Sequence, residues 1–343
     1  MLNYLIKLAE NGTLPDFLIK KGIKNLCNDR LKWAKSLGPD KLHEHNQEWI
    51  EELKQSPIAL VPEKANEQHY ELPPSFFDIV LGRNLKYSSG YWPTNQTTFD
   101  ESEVEMLELS CKRAELEDKQ EILELGCGWG SLTCFMAQKF PNSKITAVSN
   151  SKDQKKHIEA RCKKLNLTNI EVITCDMNDF DIDKKFDRVV SIEMFEHMRN
   201  YGILLNNISK FLNDGGKLFV HIFTHHTLMY PYVDNGPGDW MAREFFSGGQ
   251  MPSHNLLLNF QEDLKIEKTW KINGTHYSKT SYAWLNKMDK NKKEIIEIFN
   301  ETYGKDNSKM WFQRWRIFFL SCAVMFGMEN GTEWGVSHYR FRK

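Results

Sequence analysis

The sequence predicts an α/β protein built on a mostly parallel, Rossmann-like sheet, and two observations carry this prediction. From about residue 118 to about residue 224, short apolar runs alternate with helix-length segments at the spacing of βαβ units. The first apolar run, at 121–125, leads directly into a turn that contains Gly126, Gly128 and Gly130. A buried strand followed by such a turn and a helix is typical of sheets that bind a ligand at their carboxyl edge.

Each strand of the predicted sheet is an apolar run bounded by turn residues. The expected parallel strands cover residues 121–125, 144–148, 169–174, 186–192 and 216–222. Two later strands, near 264–272 and 335–342, would complete a seven-stranded sheet. Helices are expected near 201–213, 279–301 and 308–326. Right-handed crossovers should connect the parallel strands.

The chain divides into three regions by composition. Residues 1–115 are polar with helical patterning, and we predict that they form an N-terminal extension that covers the active site. Residues 116–343 are predicted to form the ligand-binding domain. Within this domain, residues of about 225–262 mix aromatic side chains with Gly and Pro, which predicts a lid over the strand ends.

Composition excludes several classes of function. The 343 residues include 41% hydrophobic and 27% charged residues with a net charge of -1, which indicates a globular protein without a basic surface for nucleic acid. The chain shows no signal peptide, and the apolar stretch 317–325 is about half of the ~20 residues that span a membrane. Seven cysteines without repeated spacing indicate reduced thiols and a cytoplasmic location. We predict no metal site, because the histidines and cysteines lack ligand spacing.

The glycine turn favours a particular ligand. Its glycines let the backbone approach a ligand, and the following helix presents free N–H groups to an anion. A dinucleotide-binding turn has a third glycine where this chain has Ser131, so the compact turn favours the carboxylate of S-adenosylmethionine. Asp176, after the third strand, is expected to meet the adenine amino group. The second strand ends in Ser149 and Asn150 rather than in the acidic residue that usually binds a ribose. A turn with only a packing role is the alternative.

Several segments form a combination typical of one known superfamily. They are residues 69–73, 86–88, 124–130, 149–154, 191–198, 248–253 and 303–305. Together they resemble the cyclopropane-fatty-acid synthase superfamily of S-adenosylmethionine-dependent methyltransferases, and within it the coclaurine N-methyltransferase branch. The resemblance runs from about residue 45 to the C-terminus. It implies a class I methyltransferase fold with S-adenosylmethionine as the cofactor.

The resemblance also implies a set of cofactor residues. A short polar run with Gln154 takes the place of the missing ribose acid, and residues 87–88 match a segment that folds over the methionine end of the cofactor. Residues 176–177 match an adenine-contacting pair. The full set of candidates is Tyr87, Ser88, Gly126, Gly128, Gly130, Asn150, Gln154, Asp176, Met177 and Ile192.

The candidate catalytic residues Glu193, Glu196 and His197 follow the fourth strand, at the edge where open α/β sheets bind ligands. If the segment is helical, spacings of three and four place Glu193 beside both other residues. Two carboxylates and an imidazole favour a positively charged partner such as an amine. A carboxylate or His can hold the ammonium and then take the proton that must leave before the nitrogen attacks a methyl group. A helix cap or a surface ion pair is the alternative interpretation of Glu196 and His197.

The methyl acceptor is either an amine or an unsaturated lipid. In lipid-modifying relatives the resemblance implies a bicarbonate site, whose ligands match Ser89, Glu196, His221, Phe223 and Tyr277. Ser89 and Phe223 depart from that pattern, which has a Cys and a small aliphatic residue at these positions. The position of Glu193 is typically small and neutral in those relatives. The added carboxylate therefore favours a small-molecule amine, for example a tetrahydroisoquinoline, over an apolar lipid.

Aromatic residues are candidates for the substrate wall, because a ring face beside a cationic amine contributes about 0.5–2 kcal/mol. The predicted substrate contacts are Glu71, His221, Phe223, Tyr277, Trp240 and Trp334, with Tyr230, Phe245 and Phe246 as further lid aromatics. A homodimer is compatible with the sequence. A non-catalytic binding module with the cofactor-binding fold is the competing hypothesis from a different class, and absence of S-adenosylmethionine binding would favour it.

Overall fold

The structure is a computed structural model that describes residues 2–60 and 72–343. Strands and helices alternate through its middle part. The strands are β1 (Glu121–Leu125), β2 (Lys144–Ser149), β3 (Ile170–Thr174), β4 (Phe186–Ile192), β5 (Leu212–His225), β6 (Tyr230–Pro231), β7 (Gln250–Met251), β8 (Lys265–Ile272) and β9 (Trp334–Arg342). The helices are α1 (Leu2–Glu10), α2 (Asp16–Gln55), α3 (Pro74–Val80), α4 (Phe99–Ala114), α5 (Ser131–Lys139), α6 (Lys152–Lys164), α7 (Tyr201–Phe211), α8 (Trp240–Glu244), α9 (Thr275–Lys290), α10 (Lys292–Tyr303) and α11 (Ser308–Phe326).

The main sheet has seven strands in the order β3–β2–β1–β4–β5–β9–β8. Strands β1 to β5 are parallel, and β9 pairs antiparallel with both β5 and β8. The strand order reverses between β1 and β4, because the chain builds β2 and β3 before it returns to the other side of β1. Ligands of open α/β sheets bind outside the carboxyl ends of the strands at such a reversal. The predicted mostly parallel, seven-stranded Rossmann-like fold is confirmed.

The central strands read as continuous apolar runs because helices cover both faces of the sheet. In β1, Ile122, Leu123 and Leu125 are fully buried. The helix before this strand, α4, begins at a capping box, in which the Thr98 hydroxyl accepts the N–H of Glu101 at 3.3 Å and the Glu101 carboxylate accepts the N–H of Thr98 at 2.7 Å. The loop after β1 therefore lies at the point where the strand order of the sheet reverses.

Two helix predictions need correction. The helix predicted at 279–301 is two helices, α9 and α10, which meet at Asn291. The helix predicted at 201–213 ends at Phe211, and β5 begins at Leu212, earlier than the predicted residue 216. The glycine pair at 215–216 lies inside this strand, where the register with β4 is irregular. A Gly turn and a strand irregularity share the same sequence signal, because both use positive φ.

The N-terminal region is helical in the part that the structure describes. Its long helix α2 is kinked at Gly38, which has a φ of 72°, and at Pro39. The second half of α2 contacts the lid, since the Trp49 indole N–H donates to Gln250 Oε1 at 2.9 Å. The domain boundary at residues 115/116 stays a prediction. No helix within 2–60 or 72–343 has the length and apolar character of a membrane span.

The predicted lid, residues 225–262, contains the short antiparallel pair β6–β7 and the helix α8. It is fastened to the loop after β4 by Arg199, whose guanidinium donates to the carbonyl oxygens of Gly248 at 2.9 Å and Gly249 at 3.2 Å. The lid therefore lies over the carboxyl edge of the sheet.

Candidate active site

The glycine turn after β1 forms one wall of a small cavity at the carboxyl edge of the sheet. Gly126, Gly128 and Gly130 have positive φ values of 78°, 52° and 77°. A Cβ at Gly126 would lie 2.7 Å from the side chain of Met194, and one at Gly130 would lie 2.7 Å from Ile158. A Cβ at Gly128 would meet no protein atom within 4 Å. Gly126 and Gly128 line the cavity, whereas Gly130 permits close packing of α5 on α6.

This cavity of about 80 Å³ brings together most of the predicted cofactor residues. Its wall reaches the predicted catalytic residues Glu193 and His197. The predicted cofactor residues on its wall are Gly126, Gly128, Asn150, Gln154, Asp176 and Met177.

The buried amide of Gln154 is suited to a polar ligand in this cavity. This residue is 2% exposed, and its Oε1 accepts the Ser149 hydroxyl at 2.6 Å. Its Nε2 has no hydrogen-bond partner in the described part of the chain. A buried amide N–H without a partner costs about 1–3 kcal/mol, so this donor favours a ligand with oxygen acceptors, such as the ribose hydroxyls of the cofactor. Ser151 caps α6 by accepting the N–H of Gln154 at 3.3 Å, which fixes Gln154 in the first turn.

Besides Gly130, three predicted cofactor residues lie off this wall. Tyr87 lines a larger, neighbouring cavity. Ser88 is buried, and its hydroxyl accepts a hydrogen bond from the Lys86 ammonium. Ile192 packs against the apolar core that includes residues of α4 and α5. The cofactor roles of these three residues stay predictions.

The three candidate catalytic residues come together, although not on one helix. Glu193 has a left-handed backbone with a φ of 47°, and the helical residues after it are the single 3-10 turn Phe195–His197. The conditional prediction of a helix through Glu193 is therefore wrong. The N–H of Glu193 donates to the carbonyl oxygen of His221 at 2.8 Å, which holds the strained backbone. Glu193, Glu196 and His197 all line the larger cavity.

The carboxylate of Glu193 is held by three donors. Its Oε1 accepts the Ser89 N–H and the His221 Nε2–H, both at 3.1 Å, and its Oε2 accepts the Tyr277 hydroxyl at 2.6 Å. Burial raises the pKa of Glu193, while the Lys86 ammonium and the bonds from Tyr277 and Ser89 counteract this rise. Three of the positions expected for a bicarbonate site, Ser89, His221 and Tyr277, therefore contact a side-chain carboxylate in this chain.

Glu196 and His197 carry the groups that can exchange protons. Glu196 is 2% exposed, and its Oε2 has no hydrogen-bond partner among residues 2–60 and 72–343. Burial and the neighbouring Glu193 raise the pKa of Glu196 well above its usual range. Burial lowers the pKa of His197 to about 4, so its imidazole is neutral at pH 7. Helix α7 is capped by Asn200 rather than by Glu196 or His197, which removes the helix-cap interpretation.

A buried lysine that sequence reasoning missed supplies positive charge beside Glu193. Lys86 is 2% exposed, and its ammonium donates to the Ser89 carbonyl oxygen at 2.9 Å. Burial lowers the pKa of Lys86 to about 8, while Glu193 and Glu103 counteract this shift. Glu103 also accepts the backbone N–H of Lys86 at 3.2 Å. No local pattern shows this role, because the charges around Lys86 come from α4 and from the turn after β4.

The larger cavity, of about 340 Å³, is lined mainly by apolar and aromatic side chains. The sequence-predicted aromatic residues on its wall are Phe223, Tyr230, Trp240, Phe246, Tyr277 and Trp334. His221 contacts Glu193 without lining the cavity, and Phe245 packs in the core against Trp315. Glu71 lies outside the described residues. The substrate roles of these residues stay predictions.

Helices α1 and α2 complete the wall of this cavity, a contribution that sequence reasoning gave only as a general cover. Leu5, Ala9, Ile19 and Ile23 face it, and Arg30 provides a guanidinium at the same wall. The resemblance begins near residue 45 and so did not reach these positions. The amphipathic spacing of α1 was the available signal, because Leu2, Leu5, Ile6 and Ala9 lie on one helical face.

Comparisons with known proteins agree with this geometry. Residues 61–333 match the family model described as mycolic acid cyclopropane synthetase. The (S)-coclaurine N-methyltransferase of Thalictrum flavum subsp. glaucum is 38% identical over 343 residues, which cover 99% of this chain and 95% of that protein. The pavine N-methyltransferase of the same plant is 36% identical over 342 residues, which cover 99% of this chain and 97% of that protein.

A solved structure extends the similarity to the fold. The crystal structure of coclaurine N-methyltransferase bound to N-methylheliamine and SAH superposes with a TM-score of 0.96. The two chains are 37% identical, and the match covers 99% of each. The chain therefore belongs to the mycolic acid cyclopropane synthetase family and is one of its S-adenosylmethionine-dependent N-methyltransferases.

Proposed function

We propose that this N-methyltransferase acts on a secondary or tertiary amine whose nitrogen lies within an apolar, ring-containing body, of the tetrahydroisoquinoline type. The observation that carries the proposal is the fixed carboxylate of Glu193 at the inner end of a large apolar and aromatic cavity. A carboxylate suits the positive nitrogen, and the apolar wall suits the rings around it. The names of the relatives support this class, since they act on coclaurine and pavine.

The smaller cavity would bind the cofactor, and the larger cavity would bind the amine. The residues that would hold S-adenosylmethionine are Gly126, Gly128, Gln154, Asp176 and Met177, on the wall of the smaller cavity. When bound there, the cofactor supplies an electrophilic methyl group. Glu193 and His197 line both cavities, so the turn after β4 separates cofactor from amine.

The three catalytic candidates have different tasks. Glu193 anchors the amine, because its carboxylate is held by three donors. His197 is neutral at pH 7 and can accept the proton that leaves the nitrogen. Glu196 can accept that proton only in its ionised form, which burial and the neighbouring Glu193 disfavour, so it is the second acceptor after His197. Orientation of the nitrogen toward the methyl group adds to the rate, since an in-line displacement depends on position.

A product assay tests this proposal. The purified chain is incubated with methyl-labelled S-adenosylmethionine and either tetrahydroisoquinoline or vesicles of unsaturated phospholipid. We expect label on the nitrogen of the amine and none in acyl chains. Label found only in acyl chains would overturn the proposal and favour the lipid alternative. Calorimetry with S-adenosylmethionine tests the third hypothesis, a non-catalytic module with the cofactor-binding fold, which the absence of binding would favour.

A cytoplasmic location remains part of the proposal. It is supported by the seven cysteines, all of which are free thiols. A homodimer stays a prediction.

A further inference from the structure

Behind the anchoring carboxylate lies a row of buried hydrogen bonds that the reaction described above does not use. His221 on β5 and His338 on β9 are directly paired across the antiparallel strands, so their side chains share one face of the sheet. His338 Nε2 lies 2.9 Å from His221 Nδ1, and both side chains are fully buried. Arg113 of α4 then lies 2.8 Å from His338 Nδ1 through its Nη1.

The arginine sets the direction of the whole row. A guanidinium donates and never accepts, so His338 Nδ1 is the acceptor and the His338 proton is on Nε2. His338 therefore donates to His221 Nδ1, and the His221 proton is on Nε2. His221 Nε2 lies 3.1 Å from Glu193 Oε1, so this proton is donated to the Glu193 carboxylate. The opposite tautomer of His221 would direct a lone pair at the carboxylate.

We propose that Arg113 and His338 are positioning residues that fix the tautomer of His221 and thereby keep Glu193 an acceptor-only carboxylate that can hold the amine. This inference rests on the anchoring role of Glu193 proposed above. It adds two residues that touch neither cavity. Burial, together with His221 and the charges of Arg113 and Lys86, lowers the pKa of His338, which supports the neutral imidazole that the row requires.

The guanidinium of Arg113 is held in place by neighbouring side chains, which suits a positioning role. Arg113 lies over the Trp270 ring at 4.9 Å. Arg340 lies over the same ring at 5.8 Å, donates to the carbonyl oxygen of Arg113 at 3.2 Å and pairs with Glu267. Arg340 is outside the row, and so it provides a matched control.

Nitrogen NMR of the ¹⁵N-histidine-labelled full chain, without substrate, tests the row directly. We expect His221 and His338 both to carry the proton on Nε2. The His338→Phe variant identifies the His338 signals. A proton on Nδ1 of either residue in the unmodified chain would overturn the proposal, whatever the enzyme methylates.

Variants then connect the tautomer to the amine. In Arg113→Met, His338 and His221 should no longer be restricted to the tautomers with the proton on Nε2. The KM for the amine should rise about 10-fold, the scale of one lost hydrogen bond to a charged group. Cofactor Kd should stay within about 2-fold, and Arg113→Lys, which keeps a donor-only cation, should restore both the tautomers and KM. Arg340→Met should change neither readout. Equal losses in Arg113→Lys and Arg113→Met, or a normal KM in Arg113→Met, would refute the role. If Arg113→Met does not fold, the NMR measurement of the His221 and His338 tautomers in the unmodified chain still tests the proposal.

Discussion

Because one carboxyl oxygen of Glu196 is buried without a partner in the described chain, replacing this residue should change both the stability and the activity of the protein. The side chain is 2% exposed, and its Oε2 has no hydrogen-bond partner among the described residues. A buried polar atom in this state costs about 1–3 kcal/mol, and a side chain positioned to transfer a proton contributes about 10²–10⁴-fold to rate. Glu196→Leu should therefore stabilise the ligand-free protein by about 1–3 kcal/mol, while it lowers kcat for amine methylation by at least about 10²-fold.

The stability gain should depend on pH with a definite sign. Burial and Glu193 raise the folded-state pKa of Glu196 well above its unfolded value. The folded state then holds a proton that the unfolded state loses as pH rises above about 4.5, so the wild-type residue costs more stability at higher pH. The gain in Glu196→Leu should be largest near pH 8 and smallest near pH 4, where only the cost of the unpartnered buried oxygen remains.

Urea unfolding at several pH values, together with turnover at saturating cofactor, measures both effects. Glu196→Gln serves as the shape-matched control: it removes the titration and lowers activity, but it keeps polar atoms buried and should gain less stability. A variant Glu196→Leu that is both less stable than wild type and fully active would refute the assigned role.

Three further predictions follow from the cofactor cavity and the buried imidazole. Gly128→Ala should weaken S-adenosylmethionine binding at least about 10-fold with about 1–2 kcal/mol of lost stability, because its Cβ enters the cavity at positive φ; calorimetry and thermal melts separate the two effects. Gln154→Leu should raise cofactor Kd about 10-fold while it leaves the unfolding free energy within about 1 kcal/mol, and an unchanged Kd would remove Gln154 from the site. For His197, whose pKa is lowered to about 4, the unfolded state binds the proton first, so stability falls as pH drops from about 6.5. Between pH 7 and pH 5, the free energy of unfolding of His197→Gln should fall by about 1–2 kcal/mol less than that of wild type, as measured by urea unfolding. An equal fall in both proteins would contradict a neutral buried imidazole.

Sequence reasoning reached the parts of this site that depend on neighbours in the chain. The turn at Gly126 and Gly128 and the acidic residues after β4 were predictable because strand ends of a parallel sheet meet at one edge. Gln154 was predictable only through the resemblance, and the cap at Ser151 explains why it lies in the first turn of α6.

The parts that sequence reasoning missed depend on tertiary contacts. Arg113 and His338 are separated by 225 positions and meet only because β9 inserts beside β5 at the antiparallel edge. Lys86 gains its role from Glu103 and Glu193, on two different elements. The left-handed backbone of Glu193 is likewise invisible in the sequence, because glutamate has no preference for positive φ. Charge clusters of this kind are set by the fold rather than by spacing.

The preference for an amine over an alkene follows from where the fixed charge lies. Glu193 places a carboxylate against an apolar wall, and donors from Ser89, His221 and Tyr277 hold that carboxylate in place. An ammonium at about 4 Å from such a carboxylate gains about 4 kcal/mol at an effective dielectric constant of 20, which corresponds to about 10³-fold in affinity. An alkene gains nothing from that charge and must still desolvate it. The same contacts that stabilise Glu193 as an anion therefore select the cationic acceptor and disfavour the chemistry of the lipid branch.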